Sequence, residues 1–204
     1  SNLHILPNSF TYVPSRFSPE LWYRSGVGNW SVNNAIYSVS GDFNGDGFDE
    51  IASMYDYGSN DMGINVFSAS GSTFSWNQWY RSGKNMWGVT YTKYLTAGDF
   101  NNDGKDEIAA MYDYGNNNMG LNVFTASGST FTWNQWYLSG PNNWGVPYTK
   151  FVTSGDFNDD GKSEIAAMYD YGNNNMGLNV FSASGSTFTW NQWYLSGKGN
   201  WGVL

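Results

Sequence analysis

The sequence repeats itself with a constant step of 57 residues. The segment GDFNxDG begins at Gly41 and returns at Gly98 and Gly155. Residues 98–147 and 155–204 differ at only six of 50 positions, which favours recent duplication or engineering. A chain of this kind stacks similar supersecondary units and buries its apolar surface between neighbours, so it does not fold around one irregular core.

Each unit is predicted to contain four short strands. In the second copy the strand-like runs lie at 91–97, 107–112, 121–124 and 131–136, and turns rich in Gly, Asn and Ser separate the last three. The second run is almost wholly apolar, as in a strand buried on both faces, whereas the last two alternate, as in a half-exposed sheet. Because no segment shows a helical period over three turns, we predict an all-β propeller of 57-residue, four-stranded blades.

The register of the repeat gives one propeller domain with three whole blades, at 41–97, 98–154 and 155–204. Residues 1–40 correspond to the outer half of a blade and the first connection. An open arc of blades would leave an apolar flank in water. We therefore expect self-association into a homo-oligomer that closes the ring, with a fragment of a longer protein as the alternative. The number of blades in the ring stays open.

Composition excludes several function classes. The chain has no cysteine and one histidine, so disulfide scaffolds, thiolate zinc sites and cysteine nucleophiles are absent. A formal net charge of −8 argues against nucleic acid and anionic membranes as partners, and no apolar run approaches the roughly 20 residues of a membrane span. Nearly every candidate catalytic residue recurs in equivalent positions, whereas catalysis needs one asymmetric constellation. We expect no enzyme and assign no catalytic residue.

Twelve of the 17 acidic residues lie in three copies of one loop. Each loop has oxygen-bearing side chains at positions 1, 3, 5 and 9, a glycine at 6, and a main-chain carbonyl at 7 as a further donor. This set can wrap one hard cation, and oxygen-only ligands with several carboxylates favour calcium, at about one ion per complete blade. The predicted metal ligands are Asp42, Asn44, Asp46, Phe48, Glu50, Asp99, Asn101, Asp103, Lys105, Glu107, Asp156, Asn158, Asp160, Lys162 and Glu164.

The loop has two other interpretations, an EF-hand and an ordinary Asx-turn. An EF-hand needs glutamate at position 12, where this chain has Ser53, Ala110 and Ala167, and it needs flanking helices, so it is rejected. Ordinary Asx-turns also use Asp, Asn and Gly. Three copies at a fixed step make that explanation weaker than for a single loop.

The loop resembles the FG-GAP/VCBS repeat, through the pattern GDFNxDGxxEI that begins at Gly41. The family includes integrin α-subunit propellers, propeller lectins and modules attached to secreted bacterial hydrolases. The resemblance covers roughly residues 41–197 and implies a calcium-binding β-propeller, secreted from the cell, with structural calcium held by positions 1, 3, 5, 7 and 9. The family usually has aspartate at position 9, where this chain has glutamate. The longer side chain can still reach, or Asp49 and Asp106 share the task, which Ser163 cannot do in the third copy.

A lectin-like, non-catalytic function is predicted from repetition and aromatic content. Aromatic rings pack against the C–H faces of sugars while Asn and Asp bond the hydroxyls, and repeated weak sites gain avidity for glycans. The resemblance places sugars at blade junctions, near the connection tryptophans, the Tyr-Asp of MYDYG and the Asn-rich turn. The predicted ligand-binding residues are Tyr55, Asp56, Trp87, Tyr112, Asp113, Asn117, Trp144, Tyr169, Asp170, Asn174 and Trp201.

The main alternative is a non-binding scaffold or spacer module, possibly an engineered or truncated repeat propeller. Aromatic rings between blades would then serve packing alone. A third hypothesis, protein adhesion, rests on analogy with integrins.

Overall fold

The computed structural model describes residues 20–201. Within this range twelve strands form three antiparallel sheets, and each sheet has four strands in up-and-down order. The first sheet contains Ala35–Gly41 (β1), Glu50–Asp56 (β2), Met62–Ser70 (β3) and Thr73–Arg81 (β4). The second contains Thr92–Gly98 (β5), Glu107–Asp113 (β6), Met119–Ser127 (β7) and Thr130–Leu138 (β8). The third contains Thr149–Gly155 (β9), Glu164–Asp170 (β10), Met176–Ser184 (β11) and Thr187–Leu195 (β12).

The predicted fold class is confirmed. The chain is all-β, with one four-stranded sheet per 57-residue repeat and short 3-10 turns at Val32–Asn34, Val89–Tyr91 and Val146–Tyr148. Each sheet begins six residues before the predicted unit boundary, because β1, β5 and β9 precede the acidic loop. No helix within residues 20–201 is long and apolar enough to cross a membrane. An outer half-blade and first connection were predicted for residues 1–40. Residues 1–19 lie outside the described residues, and residues 20–34 contain no strand.

Tight turns fix the register of the outer hairpins. Ser70 pairs with Thr73, so only Gly71 and Ser72 form the turn between β3 and β4. Gly71 has a φ of 61°, a left-handed conformation that glycine adopts without steric cost. The same arrangement recurs in the other two sheets.

The hydrophobic core lies between the sheets. Phe131, on β8 of the second sheet, packs between Phe43 and Trp79 of the first, with ring centroids 5.8 and 5.3 Å away. Phe188 of the third sheet packs in the same way between Phe100 and Trp136 of the second. Each sheet therefore completes the core of the sheet before it, in a propeller-like arrangement.

The first strands of the sheets are neighbours, β1 beside β5 and β5 beside β9. Tyrosine hydroxyls link them: Tyr37 donates to the carbonyl of Thr92 at 3.1 Å, and Tyr94 donates to that of Thr149 at 2.6 Å. Burial raises the pKa of both hydroxyls above the usual value, so they stay protonated donors at neutral pH. These bonds fix the spacing of the sheets on the inner side.

Replacement of Phe131 by alanine is expected to destabilise the protein by about 3–5 kcal/mol, the usual cost of deleting a buried aromatic ring. The reason is that this ring fills the space between two sheets. Urea unfolding followed by tryptophan fluorescence measures the change. Phe74→Ala is the matched control, because Phe74 holds the same position in the first sheet and is only half-buried. Equal losses in the two variants would contradict the assignment of Phe131 to a shared core.

Candidate functional site: acidic loops and tyrosine pockets

The acidic loop after the first strand of each sheet is folded around its first aspartate. In the first sheet, Asp42 Oδ1 accepts hydrogen bonds from the N–H groups of Gly45 at 2.7 Å and Asp46 at 3.1 Å. Its Oδ2 accepts from the N–H of Gly47 at 2.8 Å. Asp99 and Asp156 accept equivalent bonds in the other loops. An Asx-turn is present in all three copies at position 5, whose Oδ1 accepts a hydrogen bond from the N–H of position 7.

The glutamate at position 9 reaches back beneath the loop. Glu50 is buried, its Oε2 accepts from the N–H of Phe43 at 3.2 Å, and its Oε1 accepts from Asn44 Nδ2 at 2.7 Å. Glu107 and Glu164 are buried and bonded in the same way. The glutamate side chain therefore lies beneath the loop and supports it through these hydrogen bonds.

The asparagine at position 3 bridges two carboxylates. Asn44 Nδ2 donates to Asp46 Oδ2 at 3.1 Å as well as to Glu50. The amide thereby reduces the repulsion between two acidic groups, which is also what a bound cation would do. In the second loop the other amide atom, Asn101 Oδ1, is buried without a hydrogen-bond partner.

The donor set fits a hard cation in part. Oxygens of positions 1, 3 and 5 lie in one short loop, and the unpartnered Asn101 oxygen is an acceptor that a cation would satisfy. Both oxygens of position 9 already accept hydrogen bonds, however. Within residues 20–201, no three acidic or histidine side chains come close enough together to hold a metal in this arrangement. At position 7, the Phe48 side chain is exposed while Lys105 lies over Gly45 of the preceding loop.

Position 8 joins neighbouring loops. Asp106 donates its N–H to the Asp42 carbonyl at 2.8 Å, and its Oδ2 accepts the Asp42 N–H at 3.0 Å. A Cβ on Gly41 would lie 2.5 Å from that carboxylate oxygen, so only glycine leaves room for the contact. Ser163 keeps the main-chain bond, to Asp99 at 2.7 Å. The hypothesis that Asp106 helps to hold a metal in its own loop is not supported, because its carboxylate faces the loop before it.

Burial sets the protonation of the glutamates at position 9. Desolvation, reinforced by Asp103 and Asp99 and opposed by the Phe100 N–H, raises the pKa of Glu107 to about 8. Desolvation is also the main cause that raises the pKa of Glu50 and Glu164. Without a cation, the protonated form of these groups is favoured in the folded protein relative to the unfolded chain.

A second feature lies at the junctions between sheets, where tyrosines form two open pockets. Tyr91 lies beside Tyr112 and Tyr112 beside Tyr114, with ring centroids 5.8 and 4.8 Å apart. Asp113 and Gly115 complete the lining of a cavity of about 340 Å³. A cavity of about 350 Å³ at the next junction is lined by Tyr148, Tyr169, Asp170, Tyr171 and Gly172. We call these two cavities the tyrosine pockets.

The aspartate of each tyrosine pocket has one oxygen committed to the fold. Asp113 Oδ1 accepts from the N–H of Gly115 at 2.9 Å, and Asp170 Oδ1 accepts from that of Gly172 at 2.7 Å. Asp56 makes the same bond at 2.8 Å in the first sheet. In the third sheet the other oxygen, Asp170 Oδ2, also lies 3.8 Å from Lys150 Nζ. The carboxylates of Asp113 and Asp170 are half-exposed at the pocket wall.

Predicted ligand-binding residues divide between the pocket and the core. Tyr112, Asp113, Tyr169 and Asp170 line the tyrosine pockets. Trp201 is exposed. The other predicted residues do not line either pocket; they are Tyr55, Asp56, Trp87, Asn117, Trp144 and Asn174.

Trp87 and Trp144 lie in the core, each with 4% of its surface exposed. Trp87 packs against the rings of Tyr112 and Phe124, and its indole N–H donates to Thr92 Oγ1 at 3.0 Å. Since both ring and N–H are already engaged, the indole offers no open face to a sugar. The open pocket beside Trp87 is lined by Tyr91, Tyr112 and Tyr114 instead.

Asn117 and Asn174 form turns that receive the next connection. Asn117 has a φ of 51°, and its carbonyl accepts the N–H of Trp144 at 2.9 Å. Asn174, with a φ of 54°, accepts the N–H of Trp201 at 3.0 Å. These carbonyls hold the connections in place through the main chain.

Neither tyrosine pocket lies at the first junction, although Tyr55 and Asp56 are present there. Asn34 stands where the other two junctions have Tyr91 and Tyr148. The buried Tyr55 ring lies against Trp30, and its hydroxyl accepts the N–H of Ser31.

Sequence reasoning missed Tyr91, Tyr148, Tyr114 and Tyr171. A signal was available, because the pattern Gly-Val-x-Tyr recurs with the 57-residue step in the second and third units and is absent from the first. The glycine of this pattern is needed: a Cβ on Gly88 would lie 2.6 Å from the Tyr91 ring.

Metal-free protein is expected to lose stability as the pH rises from about 4.5 to 8. A group whose pKa is raised by folding stabilises the folded state fully below its unfolded pKa, and this contribution disappears as the pH passes the folded value, about 8 for Glu107. Thermal unfolding in a chelator across this range measures the effect. Glu107→Gln, which cannot ionise, should flatten the profile, and a stability that rises with pH in the parent would contradict the expectation.

Comparison with family models supports the repeat architecture. Residues 42–110 match the model of the FG-GAP-like repeat, a stretch that begins at the first acidic loop and ends in β6 after the second. No curated protein sequence matches the chain significantly. The remaining sheet follows the matched segment by the same 57-residue step and has the same strand order. Residues 42–110 are therefore similar to the FG-GAP-like repeat, and the three successive sheets are a propeller-like repeat fold.

Proposed function

We propose that the protein is a non-catalytic module that binds carbohydrate in its tyrosine pockets. The observation that carries this proposal is the occurrence of two matching open pockets, each walled by three tyrosines and one aspartate, at successive sheet junctions. Ligand sites in proteins are concave, mostly apolar and aromatic, with a few polar groups that fix orientation. The two pockets have this character.

Pocket chemistry favours a sugar over other small ligands. Tyr91 and Tyr114 expose parts of their rings, which can pack against the C–H face of a pyranose, while the Asp113 carboxylate accepts hydrogen bonds from hydroxyls. A volume of about 340 Å³ is near the lower end of ligand cavities and suits one monosaccharide residue. Two sites on one rigid array would bind a repetitive glycan by avidity.

The non-binding scaffold remains the second candidate, and one observation favours it. The first unit has the same fold although Asn34 stands in place of the third tyrosine, so that tyrosine is not needed for the sheets to stack. The same difference also supports ligand binding. The second unit has Tyr91 together with Gly88, the third has Tyr148 together with Gly145, and in each case the glycine makes room for the tyrosine ring.

We further propose that the acidic loops bind calcium, which would stabilise the extracellular protein in place of disulfides. Positions 1, 3 and 5 would supply the side-chain oxygens, with the bridging amide turned to present its oxygen. Calcium at about a hundredfold excess over its dissociation constant would stabilise the fold by about 2.7 kcal/mol per site. Support comes from the position of three oxygen-bearing side chains in one short loop and from the unpartnered oxygen of Asn101.

Tyr91→Ala together with Tyr148→Ala is expected to abolish sugar binding while the fold stays intact, because both rings are more than half exposed. Isothermal titration with a panel of monosaccharides, then with oligosaccharides, measures affinity and stoichiometry. The parent should bind two sugars per chain and each single variant one. Phe151→Ala removes a similarly exposed ring outside the pockets and should bind like the parent. No heat with any sugar in the parent would favour the scaffold.

Ser31→Gly combined with Asn34→Tyr is expected to create a third pocket. The first substitution makes the room that Gly88 makes for Tyr91, and the second supplies the missing ring. Stoichiometry should rise from two to three in the same titration. Asn34→Tyr alone is the control, since the Ser31 side chain would collide with the new ring. An unchanged stoichiometry in the double variant would contradict the assignment of sugar binding to the tyrosines.

Asn101→Asp is expected to make stability strongly calcium-dependent. It replaces an amide that donates to Asp103 and Glu107 with a further carboxylate, so repulsion lowers the melting temperature in chelator and the added ligand charge enlarges the rise with calcium. Asn102→Asp is the matched control, because Asn102 is exposed and the third loop already has Asp159 there. A calcium-induced shift no larger in Asn101→Asp than in Asn102→Asp would refute calcium binding by the loop.

A further inference from the structure

The outer face of the third sheet, on the side away from the second sheet, is apolar and uncovered. Trp193 and Phe157 are 46% and 45% exposed. Their counterparts one repeat earlier, Trp136 and Phe100, are 5% and 0% exposed, because the third sheet covers them. The same residue types at the same positions thus differ in burial only through the presence of a following sheet.

This face contains a groove of about 320 Å³. It is lined by Thr153, Phe157, Ala166, Leu178, Val180 and Trp193. At the junction of the second and third sheets, the corresponding space is filled by the Phe188 ring, 5.5 Å from Phe100 and 5.3 Å from Trp136. We call the space on the third sheet the phenylalanine groove.

The sequence contains one further phenylalanine in this register. Phe17 precedes Phe74 by 57 residues, and Phe74 precedes Phe131 and then Phe188 by the same step. Phe17 lies outside the described residues, and Trp22, five positions later, corresponds to Trp79. Trp22 packs on Phe74 with ring centroids 5.5 Å apart, as Trp79 packs on Phe131 at 5.3 Å. The chain around Trp22 therefore makes the contact that the last strand of a preceding sheet makes in the other junctions.

We propose that the phenylalanine groove binds the N-terminal segment, residues 1–24, of a second copy of this chain, with Phe17 in the place that Phe188 takes in the preceding groove. The N-terminal segment is the occupant because it matches the outer strands of the first sheet, residues 58–81, at eight of 24 positions, Phe17 and Trp22 among them. The last strand of a sheet supplies the phenylalanine at both internal junctions. The contact is heterologous, since a groove on one copy receives a segment of the next, and it builds rings or open chains.

Two complementary variants test the proposal. Trp193→Glu blocks the groove and Phe17→Glu blocks the inserted segment, and association is measured by sedimentation velocity over a wide concentration range. The parent should form species at multiples of 22.8 kDa, and each variant alone should be a monomer. An equimolar mixture should form a one-to-one pair, because each variant keeps the face that the other has lost.

Leu195→Glu is the matched control and should associate like the parent. Leu195 is 48% exposed, and its counterpart Leu138 is 49% exposed although a sheet follows it, so this position lies outside the junction. Phe157→Asp, at another point of the groove, repeats the test should Trp193→Glu unfold, which thermal melting detects. A parent that stays monomeric at every concentration would overturn the proposal. So would association of Phe17→Glu alone, which would indicate a groove-to-groove contact.

Discussion

Stacking of one sheet on the next is the interaction on which the rest of the structure depends. A single four-stranded sheet of this chain has no core of its own, because its large apolar side chains point toward its neighbours. Phe131 and Phe188 show this dependence most clearly, since each ring packs against aromatic residues of the preceding sheet. Stability in such an array is a sum over junctions, and a terminal sheet is stabilised on one side only.

The same constraint places the candidate sites. Each tyrosine pocket lies where the connection from one sheet meets the second strand of the next, and its lining comes from that connection and that sheet. The acidic loops also touch across the junctions, through the pair formed by Asp106 and Asp42. The acidic loops thus contact one another where two sheets meet, and the tyrosine pockets lie beside the connection between two sheets.

The architecture was predictable because the repeat, the turn glycines and the strand runs all indicate the same four-stranded unit. Burial was harder to predict. The alternation in β7 suggested a half-exposed strand, yet Asn122 is completely buried beside the Tyr114 hydroxyl. Trp87 was predicted to contact a ligand, yet its ring is buried against Tyr112 and Phe124 and its N–H is bonded to Thr92. Tyr91 was missed because its position depends on the space left by Gly88, a tertiary property that no periodicity reveals.

The contact at position 8 differs between two repeats that are otherwise nearly identical. Sequences as similar as the second and third units can exchange strands during folding, and such misassembly is a known hazard of tandem arrays. One of their few differences is at position 8, which is Asp106 in the second unit and Ser163 in the third, and both residues lie at a junction. Asn102, which becomes Asp159, is another, and its side chain lies near Gly161 of the following loop. Two of the six differences between these units thus lie where one loop contacts the next, so successive junctions are not chemically identical although the repeats nearly are.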